Sequence, residues 1–574
     1  AEGMAAKIPV LDGESSDATL MTFGFNPELG TWSPYHMAYY AVIESMSKLA
    51  AMGGDYRKAR LTFQEYFERL GIEASRWGKP FAALLGAYEA QMAFETAAIG
   101  GKDSMSGSFG DLDVPPTLVS FAVGVEKARN IISPEFKEAG SSLVLLQTEK
   151  LEDGTINVEK LKKNLDVLYN LIQSGKVISA SAVKYGGVSE TVTKMTLGNR
   201  IGAEIENLTK DELFGFNYGT IVLEVKNGVN VEEFKECLYK EVGKTISSAV
   251  IISKEYDLNL DIEALEKTYE EKLSSVFKIK TEDVEGKVET VLYDKKSTLS
   301  PAIKVAKPKV VIPVFPGNNC EYDCARAFEK EGAEVTQVVF RNITKEALNE
   351  SIERLAKEIS TAQILMIPGG FSAGDEPDGS GKFIANALRN EKISNSVMEL
   401  LKNRDGLALG ICNGFQALIK LGLVPYGEIV DIKEDMATLT YNNINRHMSS
   451  IISTKVVSNK SPWFSEVNVG DIHSVAISHG EGRFVAPESL IKELIANGQV
   501  ATQYVDFDGN VSLNMPFNPN GSMYGIEGIT SPDGRVLGKM AHSERIGTDL
   551  YRNIPGDFDQ KIFKACLLYT SLMA

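Results

Sequence analysis

The segment around Cys412 has the residue types and spacing of a nucleophilic site. An apolar run, residues 407–411, ends directly at Cys412, and a helical pattern begins at the next residue. A cysteine in such a strand-to-helix turn lies at a helix N-terminus, where the helix dipole and free N–H groups favour the thiolate. Gly410 and Gly414 flank the turn, where a side chain would collide with the neighbouring strand or helix. A buried structural cysteine is the alternative interpretation.

Two further segments supply the partners that a nucleophilic cysteine needs. Paired glycines at residues 368–372 allow the backbone N–H of Gly370, together with that of Asn413, to bind the oxyanion of a tetrahedral intermediate. His542 and Glu544 are two residues apart near the C-terminus. We expect His542 to take the thiol proton and later protonate the leaving ammonia, while Glu544 holds the imidazole tautomer. The joint occurrence of these segments favours catalysis.

The other histidines carry less information. Residues 479–483, beginning with His479, form a polar loop made flexible by glycines, which is either functional or a solvated turn. His36, His447 and His473 have no comparable neighbours, so we interpret them as structural.

Regular alternation of strands and helices predicts an α/β domain after residue 309. The predicted strands are residues 310–315, 334–340, 364–367 and 407–411, and the predicted helices are residues 320–331 and 344–359. Such alternation indicates a parallel sheet covered by helices on both faces. Functional loops are then expected beyond the carboxyl ends of the strands.

Composition and patterning divide the remainder of the chain. We predict subdomains at residues 1–130 and 131–294, a linker at 295–308 and the α/β domain at 309–565. Residues 566–574 match a translated sequencing adapter, so the tail is predicted to be artefactual and is excluded from the fold. Because the first residue is Ala and the amino-acid sequence begins in the middle of a structural pattern, an upstream portion of the protein is expected to be absent.

The overall composition excludes several classes of protein. The 574 residues need two or three domains, and the net charge of −17 argues against nucleic-acid binding. No apolar run has the length of a membrane span, so no membrane partner is expected. Five cysteines without paired spacing are typical of a reducing cytoplasm.

Five motifs together resemble a known family. They are PGGFSAGD at residues 368–375, GICNGFQ at 410–416, HGEGR at 479–483, HSER at 542–545 and GGKDSMS at 100–106. The chain is similar to the class I glutamine amidotransferase domain in the form fused to phosphoribosylformylglycinamidine synthase. The resemblance implies an α/β and α+β architecture, in which a two-subdomain half like aminoimidazole-ribotide synthetase precedes an amidotransferase sheet flanked by helices.

The resemblance also implies a reaction. Glutamine would be hydrolysed at Cys412 through a thioester, and the ammonia would convert formylglycinamide ribonucleotide to its amidine in purine biosynthesis. A carbon–nitrogen ligase of this kind uses ATP and Mg²⁺, which the N-terminal synthetase half missing from this polypeptide would mostly bind. A sheltered path between the two sites is expected, because free ammonia would be protonated and lost in water.

Residues of the upstream half are matched more sparsely. Gly101, Lys102 and Ser104 match the family's loop that contacts nucleotide and substrate phosphate. Glu44 matches a glutamate near the family's magnesium-bound nucleotide, but Lys48 replaces the asparagine expected one turn later.

The family's acidic signature before paired glycines is also altered. Ala182 and Tyr185 replace the two aspartates that would support a metal. This half is therefore expected to keep the fold and to have lost its own metal–nucleotide pocket.

Three other functions stay open from the residues alone. A cysteine hydrolase or peptidase on a similar sheet would have the same elbow and histidine but would not need the upstream phosphate loop. A catalytically dead scaffold would not need intact Cys412, His542 and Glu544. A stand-alone kinase-like synthetase would not need the elbow.

Overall fold

The computed structural model describes residues 2–10, 13–296, 300–302, 304–374, 380–547 and 550–572, without the side chain of Val231. The chain divides into two compact units, residues 1–275 and residues 276–574. Among the described residues, no helix combines the length and the apolar character needed to cross a lipid bilayer.

The first unit contains two mixed sheets with packed helices. Its strands are β1 Gly3–Lys7, β2 Asp17–Gly24, β3 Arg60–Tyr66, β4 Ala98–Ser104, β5 Ser108–Phe109, β6 Leu112–Asp113, β7 Thr117–Lys127, β8 Ser142–Leu146, β9 Val177–Ala182, β10 Gly202–Ile205, β11 Ile221–Val225, β12 Tyr239–Ile246, β13 Val250–Ser253 and β14 Leu258–Asp261. Its helices are α1 Pro27–Trp32, α2 Pro34–Ala51, α3 Ala74–Phe94, α4 Val158–Gln173, α5 Gly187–Leu197, α6 Lys210–Phe214 and α7 Ile262–Glu271.

Strand order separates the two sheets of the first unit along the chain. One sheet has the order β1-β2-β7-β3-β4, and the other has the order β14-β13-β10-β12-β8-β11-β9. In the first sheet only β3 and β4 pair in parallel, which leaves β4 at an edge. The two sheets use residues 3–127 and 142–261, on either side of the boundary predicted at residue 130. The exact residues at which the subdomains, the linker and the α/β domain begin and end stay a prediction.

The second unit is built on one large sheet. Its strands are β15 Lys309–Val314, β16 Glu334–Val339, β17 Ile364–Ile367, β18 Leu407–Ile411, β19 Thr438–Thr440, β20 Met448–Val456, β21 Ile472–His479, β22 Arg483–Val485, β23 Val500–Val505, β24 Ile526–Thr530 and β25 Val536–Lys539. Its helices are α8 Glu321–Lys330, α9 Lys345–Thr361, α10 Lys382–Leu388, α11 Glu391–Lys402, α12 Asn413–Leu421, α13 Leu423–Tyr426, α14 Glu488–Ala496 and α15 Ile562–Thr570.

The large sheet is parallel on one side and antiparallel on the other. Its order is β16-β15-β17-β18-β25-β24-β23-β20-β21, and the first five strands pair in parallel. Strands β17 and β18 are buried along their whole length, as expected for central parallel strands covered on both faces. The predicted α/β fold is confirmed, and four antiparallel strands extend the expected parallel sheet.

Residues 276–296 lie against the second unit. The backbone N–H of Tyr293 donates to Val457 O at 2.8 Å, and that of Val291 donates to Gln503 Oε1 at 3.0 Å. The sequence pattern predicts that residues up to 294 belong to the upstream subdomain, because the apolar residues of this polar stretch have no periodicity of their own. Its position is set by hydrogen bonds to residues far along the chain.

Residues near the C-terminus belong to the core of the second unit. Helix α15 buries Cys566, Leu567 and Tyr569 in the main apolar cluster of this unit. Val305 pairs with Ser571 in an isolated parallel bridge, which joins this helix to the segment before β15. Excluding residues 566–574 from the fold was therefore wrong for residues 566–572; residues 573–574 lie outside the described residues.

Candidate functional site

Cys412 lies in a strained turn between β18 and α12. Its backbone has φ +53° and ψ −108°, a left-handed conformation that a non-glycine residue rarely adopts. A β carbon on Gly414 would lie 2.0 Å from the carbonyl oxygen of Ile367, and one on Gly410 would lie 2.7 Å from the Gly414 backbone. Only glycine fits at these two positions, because neighbouring backbone atoms lie too close for a side chain, as the sequence predicts. The turn holds the Cys412 side chain at the carboxyl end of the central strand.

His542 and Glu544 form a buried pair beyond the end of β25. The His542 backbone N–H donates to Ala476 O at 2.8 Å, and His542 Nδ1 lies 2.6 Å from Glu544 Oε1. Burial lowers the pKa of His542, but the charge of Glu544 and hydrogen bonds to two thiols and to Glu544 outweigh burial and raise this pKa well above its usual value. Burial raises the pKa of Glu544. The positive charge of His542 and its hydrogen bond to Glu544 together have a larger effect, so the pKa of Glu544 is lowered. The pair therefore favours an imidazolium beside a carboxylate.

The imidazole and the Cys412 side chain meet beside Gly369. An ideal β carbon on Gly369 would lie 2.9 Å from His542 Cε1 and 3.4 Å from Cys412 Cβ. The two side chains thus border the same small gap, which only glycine leaves open. This geometry brings the predicted nucleophile and base together; their catalytic roles stay a prediction.

The glycine loop that contains Gly370 is attached to the start of α12. Gly370 has φ +131°, a conformation that requires glycine. The Asn413 side chain accepts a hydrogen bond from Ser372 N at 3.2 Å and donates one to Gln416 Oε1 at 2.9 Å. Helix N-termini carry N–H groups without intrahelical partners, which suits the predicted oxyanion role of Asn413. Asp375, the last residue of the PGGFSAGD motif, lies outside the described residues.

A cavity of about 340 Å³ opens at Cys412. It is lined by Gly370, Phe371, Ser380, Cys412, Gln416, Tyr441, Asn445, Arg446, His447, Ser478, His479, Gly480 and Glu481. The Cys412 thiol lies 3.6 Å from the carbonyl oxygen of Ser478, so strand β21 forms one wall. This volume suits a ligand of amino-acid size.

The HGEGR loop belongs to this cavity rather than to a solvated turn. Gln416 Nε2 donates to the Glu481 carbonyl at 2.7 Å, and Ser380 N donates to Glu481 Oε2 at 2.8 Å. Burial lowers the pKa of His479 to about 3, so this imidazole is neutral. His447, interpreted from sequence as structural, also lines the cavity, where its Nε2 lies 2.9 Å from Ser478 Oγ.

Lys539 and Glu527 form a buried charged pair that sequence reasoning missed. Lys539 Nζ lies 3.4 Å from Glu527 Oε1 and donates to Ala541 O at 2.7 Å and Ser543 Oγ at 2.9 Å. Glu527 Oε1 also accepts from Ala541 N at 2.8 Å. These bonds fix the turn on which His542 is carried. A lysine at the end of an apolar strand is the only local signal, and it does not identify its partner.

The predicted phosphate-binding residues of the first unit lie in a strand. Gly101, Lys102 and Ser104 belong to β4, which pairs with β3 at the sheet edge, and not to a loop. Lys102 is exposed, and its Nζ donates to Asp103 O at 3.0 Å. The prediction of a loop was wrong because the β3 edge supplies a pairing partner that local sequence does not reveal. Binding by these residues stays a prediction.

Glu44 is paired with an ammonium group. Its Oε1 lies 2.7 Å from Lys48 Nζ, and both side chains are buried. Lys48 also lies 2.9 Å from Glu2 Oε2. A cation site at Glu44 is therefore taken by Lys48, so the residues present do not fit a Mg²⁺ ion, and the predicted metal role of Glu44 is wrong on this ground.

Lysines also surround the altered acidic signature. Lys184, between Ala182 and Tyr185, lies 3.0 Å from Glu2 Oε1 and 3.4 Å from Glu190 Oε1. These ion pairs give a charge-compensated cluster in place of an acidic pocket. The loss of a metal–nucleotide pocket in this half stays a prediction.

Comparison with known proteins gives matches to the second unit. Residues 307–573 match the sequence model of the GATase_5 family, a CobB/CobQ-like glutamine amidotransferase domain. The phosphoribosylformylglycinamidine synthase subunit PurQ of Methanococcus maripaludis is 39% identical over 244 residues, which cover 42% of this chain and 84% of that protein. The PurQ subunit of Salinibacter ruber is 30% identical over 263 residues, 46% of this chain and 97% of that protein.

Solved structures from Thermotoga maritima also match parts of the chain. The structure of PurLQS is 27% identical with a TM-score of 0.33, and the match covers 46% of this chain and 99% of the other. PurL complexed with ADP is 14% identical with a TM-score of 0.38, and the match covers 46% of this chain and 45% of the other.

Proposed function

We infer that this chain, which belongs to the family of the phosphoribosylformylglycinamidine synthase subunit PurQ, hydrolyses glutamine to supply ammonia for purine biosynthesis. It is a glutamine-dependent carbon–nitrogen ligase component. The observation that carries the proposal for the site is the meeting of Cys412 and the His542–Glu544 pair around Gly369.

The first step is attack by the thiolate of Cys412 on the side-chain amide carbon of glutamine. The carbonyl oxygen becomes an oxyanion, which the N–H groups of Gly370 and Asn413 would stabilise. Because Cys412 is at the N-terminus of α12, the helix dipole also favours the anionic nucleophile.

His542 would carry the proton through the reaction. It takes the thiol proton, gives it to the departing nitrogen so that ammonia leaves, and then deprotonates the water that cleaves the glutamyl thioester. Glu544 would hold Nδ1 protonated, so that Nε2 is the nitrogen that exchanges protons. The products are glutamate, ammonia and the free enzyme.

Glutamine would bind in the cavity beside Cys412. The wall formed by residues 478–481 offers backbone groups and the Glu481 carboxylate, which suit the α-amino and α-carboxyl groups of an amino acid. Arg446 lies on the same cavity and provides the cationic group for a carboxylate.

For residues 1–275 we propose the second half of a synthetase that acts on formylglycinamide ribonucleotide and ATP. PurL of Thermotoga maritima has been solved with ATP and with FGAR. Because Lys48 occupies the cation position beside Glu44, Mg²⁺ and most of the ATP contacts are assigned to a partner synthetase half and not to residues 1–275. Gly101, Lys102 and Ser104 would contribute phosphate contacts.

A glutaminase assay on the purified 574-residue chain tests the site. Cys412→Ala should release no ammonia from glutamine above the uncatalysed rate while keeping its circular dichroism spectrum and unfolding midpoint. Cys237→Ala, which removes a thiol of the first unit, should keep wild-type turnover. Ammonia release by Cys412→Ala would overturn the nucleophile assignment.

The assignment of the ATP site has its own test. The purified chain, given glutamine, ATP and formylglycinamide ribonucleotide, should release ammonia without ribonucleotide-dependent ATP cleavage. Amidine formation by this chain alone would refute the assignment of the ATP site to a partner synthetase half.

A further inference from the structure

Cys320 is a second thiol at the imidazole of His542. It is the residue before α8, and only 1% of its surface is exposed. The ideal β carbon of Gly369, which lies close to His542 and Cys412, would also lie 3.1 Å from Cys320 Sγ. Two thiols and one imidazole therefore border the same gap. The glutaminase mechanism uses only one of these thiols.

Cationic groups and a helix N-terminus lie next to the sulfur of Cys320. Arg545 Nη2 donates a hydrogen bond to Cys320 Sγ at 3.1 Å. The N-terminus of the ten-residue helix α8 is directly adjacent, and the sulfur also forms hydrogen bonds with the imidazole of His542 and, as donor at 3.1 Å, with Asn319 Oδ1. Guanidinium groups, helix N-termini and imidazolium ions each stabilise a thiolate over a thiol. This cationic setting also disfavours a divalent metal at Cys320, His542 and Glu544, whose ligand atoms lie within 4.8 Å of one another.

The two thiols differ in access. Cys412 lines the cavity of about 340 Å³, so a small oxidant that enters the glutamine site reaches its sulfur. Cys320 is buried behind Gly369 and does not line that cavity. An oxidant in the cavity therefore meets Cys412 first, and Cys320 is positioned to react with the product.

We propose that Cys320 is the resolving thiol of a reversible disulfide with Cys412, which switches the glutaminase off when hydrogen peroxide oxidises the nucleophile. The Cys412 thiolate attacks the peroxide, the O–O bond breaks, and Cys412 becomes a sulfenic acid while the second oxygen leaves as hydroxide. The Cys320 thiolate then attacks the sulfenyl sulfur, the S–O bond breaks, and a second hydroxide leaves. The two sulfurs supply the two electrons that reduce the peroxide.

Disulfide formation needs the thiols to approach without a side chain between them. Gly369 leaves that space empty, whereas a methyl group there would lie 3.1 Å from Cys320 Sγ and 3.4 Å from Cys412 Cβ. A dithiol reductant reopens the bond by exchange and restores both thiols. The disulfide also protects Cys412, because a sulfenic acid that is not resolved is oxidised irreversibly to the sulfinic acid.

The experiment treats the full chain with hydrogen peroxide in the absence of glutamine. Peptide mapping without reductant should give a Cys320–Cys412 crosslinked peptide, two hydrogen atoms lighter than its two parts, which dithiothreitol separates. Glutaminase activity should fall in parallel and return to most of its untreated value after dithiothreitol. A map in which Cys412 is oxidised and never linked to Cys320 overturns the proposal.

Variants separate resolution from general damage. Cys320→Ser, with each activity normalised to its own untreated sample, should accumulate sulfinic acid at Cys412 and recover a several-fold smaller fraction of activity than wild type. Cys237→Ser should recover like wild type. Equal recovery in Cys320→Ser refutes the proposal; if that variant does not fold, Cys320→Ala and the wild-type map decide. The activity readout rests on the proposed glutaminase function, whereas the crosslinked peptide does not.

Discussion

Replacing Glu544 with Gln tests the charge that supports the base. Glu544 Oε1 lies 2.6 Å from His542 Nδ1, and both side chains are buried from solvent. Glutamine has nearly the same shape and can accept the same hydrogen bond, but it carries no charge. The variant Glu544→Gln therefore removes the electrostatic part of the contact while the geometry is kept.

The structure sets the expected size of the effect. A hydrogen bond to a charged group contributes about 1.5–3 kcal/mol, and about 1.4 kcal/mol corresponds to a factor of ten in rate. If the contact acts fully in the transition state, kcat/KM for glutamine should fall by about 10- to 150-fold. The fall should appear in kcat rather than in KM, because Glu544 faces the imidazole and does not line the glutamine cavity.

The variant should also change the pH profile. Glu544 raises the pKa of His542, so its neutralisation lowers that pKa. The imidazolium that must protonate the departing nitrogen is then lost at a lower pH. The alkaline limb of kcat/KM should consequently move to lower pH by about one to two pH units, since one unit corresponds to about 1.4 kcal/mol.

Ammonia release measured between pH 5 and 10 checks both effects. Glu329→Gln makes the same chemical change at an exposed position of α8 and should leave rate and profile unaltered. An unchanged alkaline limb in a folded Glu544→Gln variant would refute the assignment of His542 and Glu544 as a coupled pair.

Three further substitutions address the packing that positions the sites. Gly414→Ala places a methyl group 2.0 Å from the Ile367 carbonyl oxygen, so it should lower the free energy of unfolding by about 1–3 kcal/mol and reduce ammonia release. Lys539→Met leaves the Glu527 carboxylate buried without its partner and should cost about 3–5 kcal/mol in denaturant unfolding of the second unit. Lys48→Gln breaks the buried pair on α2 and should destabilise the first unit by a similar amount, measured in the same way.

Matched controls make these outcomes specific. Gly547→Ala adds a methyl group 4.0 Å from Leu550 Cβ, with no closer contact among the described residues beyond its chain neighbours, and it should change stability little. Lys58→Gln removes an exposed partner of Asp55 and should cost less than about 1 kcal/mol. The double variant Lys539→Met with Glu527→Gln should recover part of the loss. Stability of Lys539→Met equal to that of wild type would contradict the pairing.

The central part of the second unit was predictable because its signals are local. Short apolar runs that end in glycines predict the positions of β17 and β18 along the chain. Gly410 and Gly414 predict the turn at Cys412. Parallel strands bring their carboxyl ends to one edge, so residues more than a hundred positions apart, such as Cys412 and His542, converge there.

Other features depend on partners that are distant in sequence. The burial of Lys539 is stable only because Glu527 lies across a β pair, and no spacing rule connects the two residues. Strand β4 forms because β3 offers its edge, although paired glycines favour a loop. Cys320 approaches His542 through the packing of α8, and the sequence contains no signal of it.

The isolated bridge between Val305 and Ser571 determines how the order of segments in the second unit can be changed by protein engineering. Val305 N–H donates to Thr570 O at 3.1 Å, and Leu572 N–H donates to Val305 O at 2.9 Å, so the segment before β15 and the end of α15 lie side by side. A short peptide across that place, with new ends opened in the exposed turn at Phe507, should give a circularly permuted glutaminase with all its strand pairings.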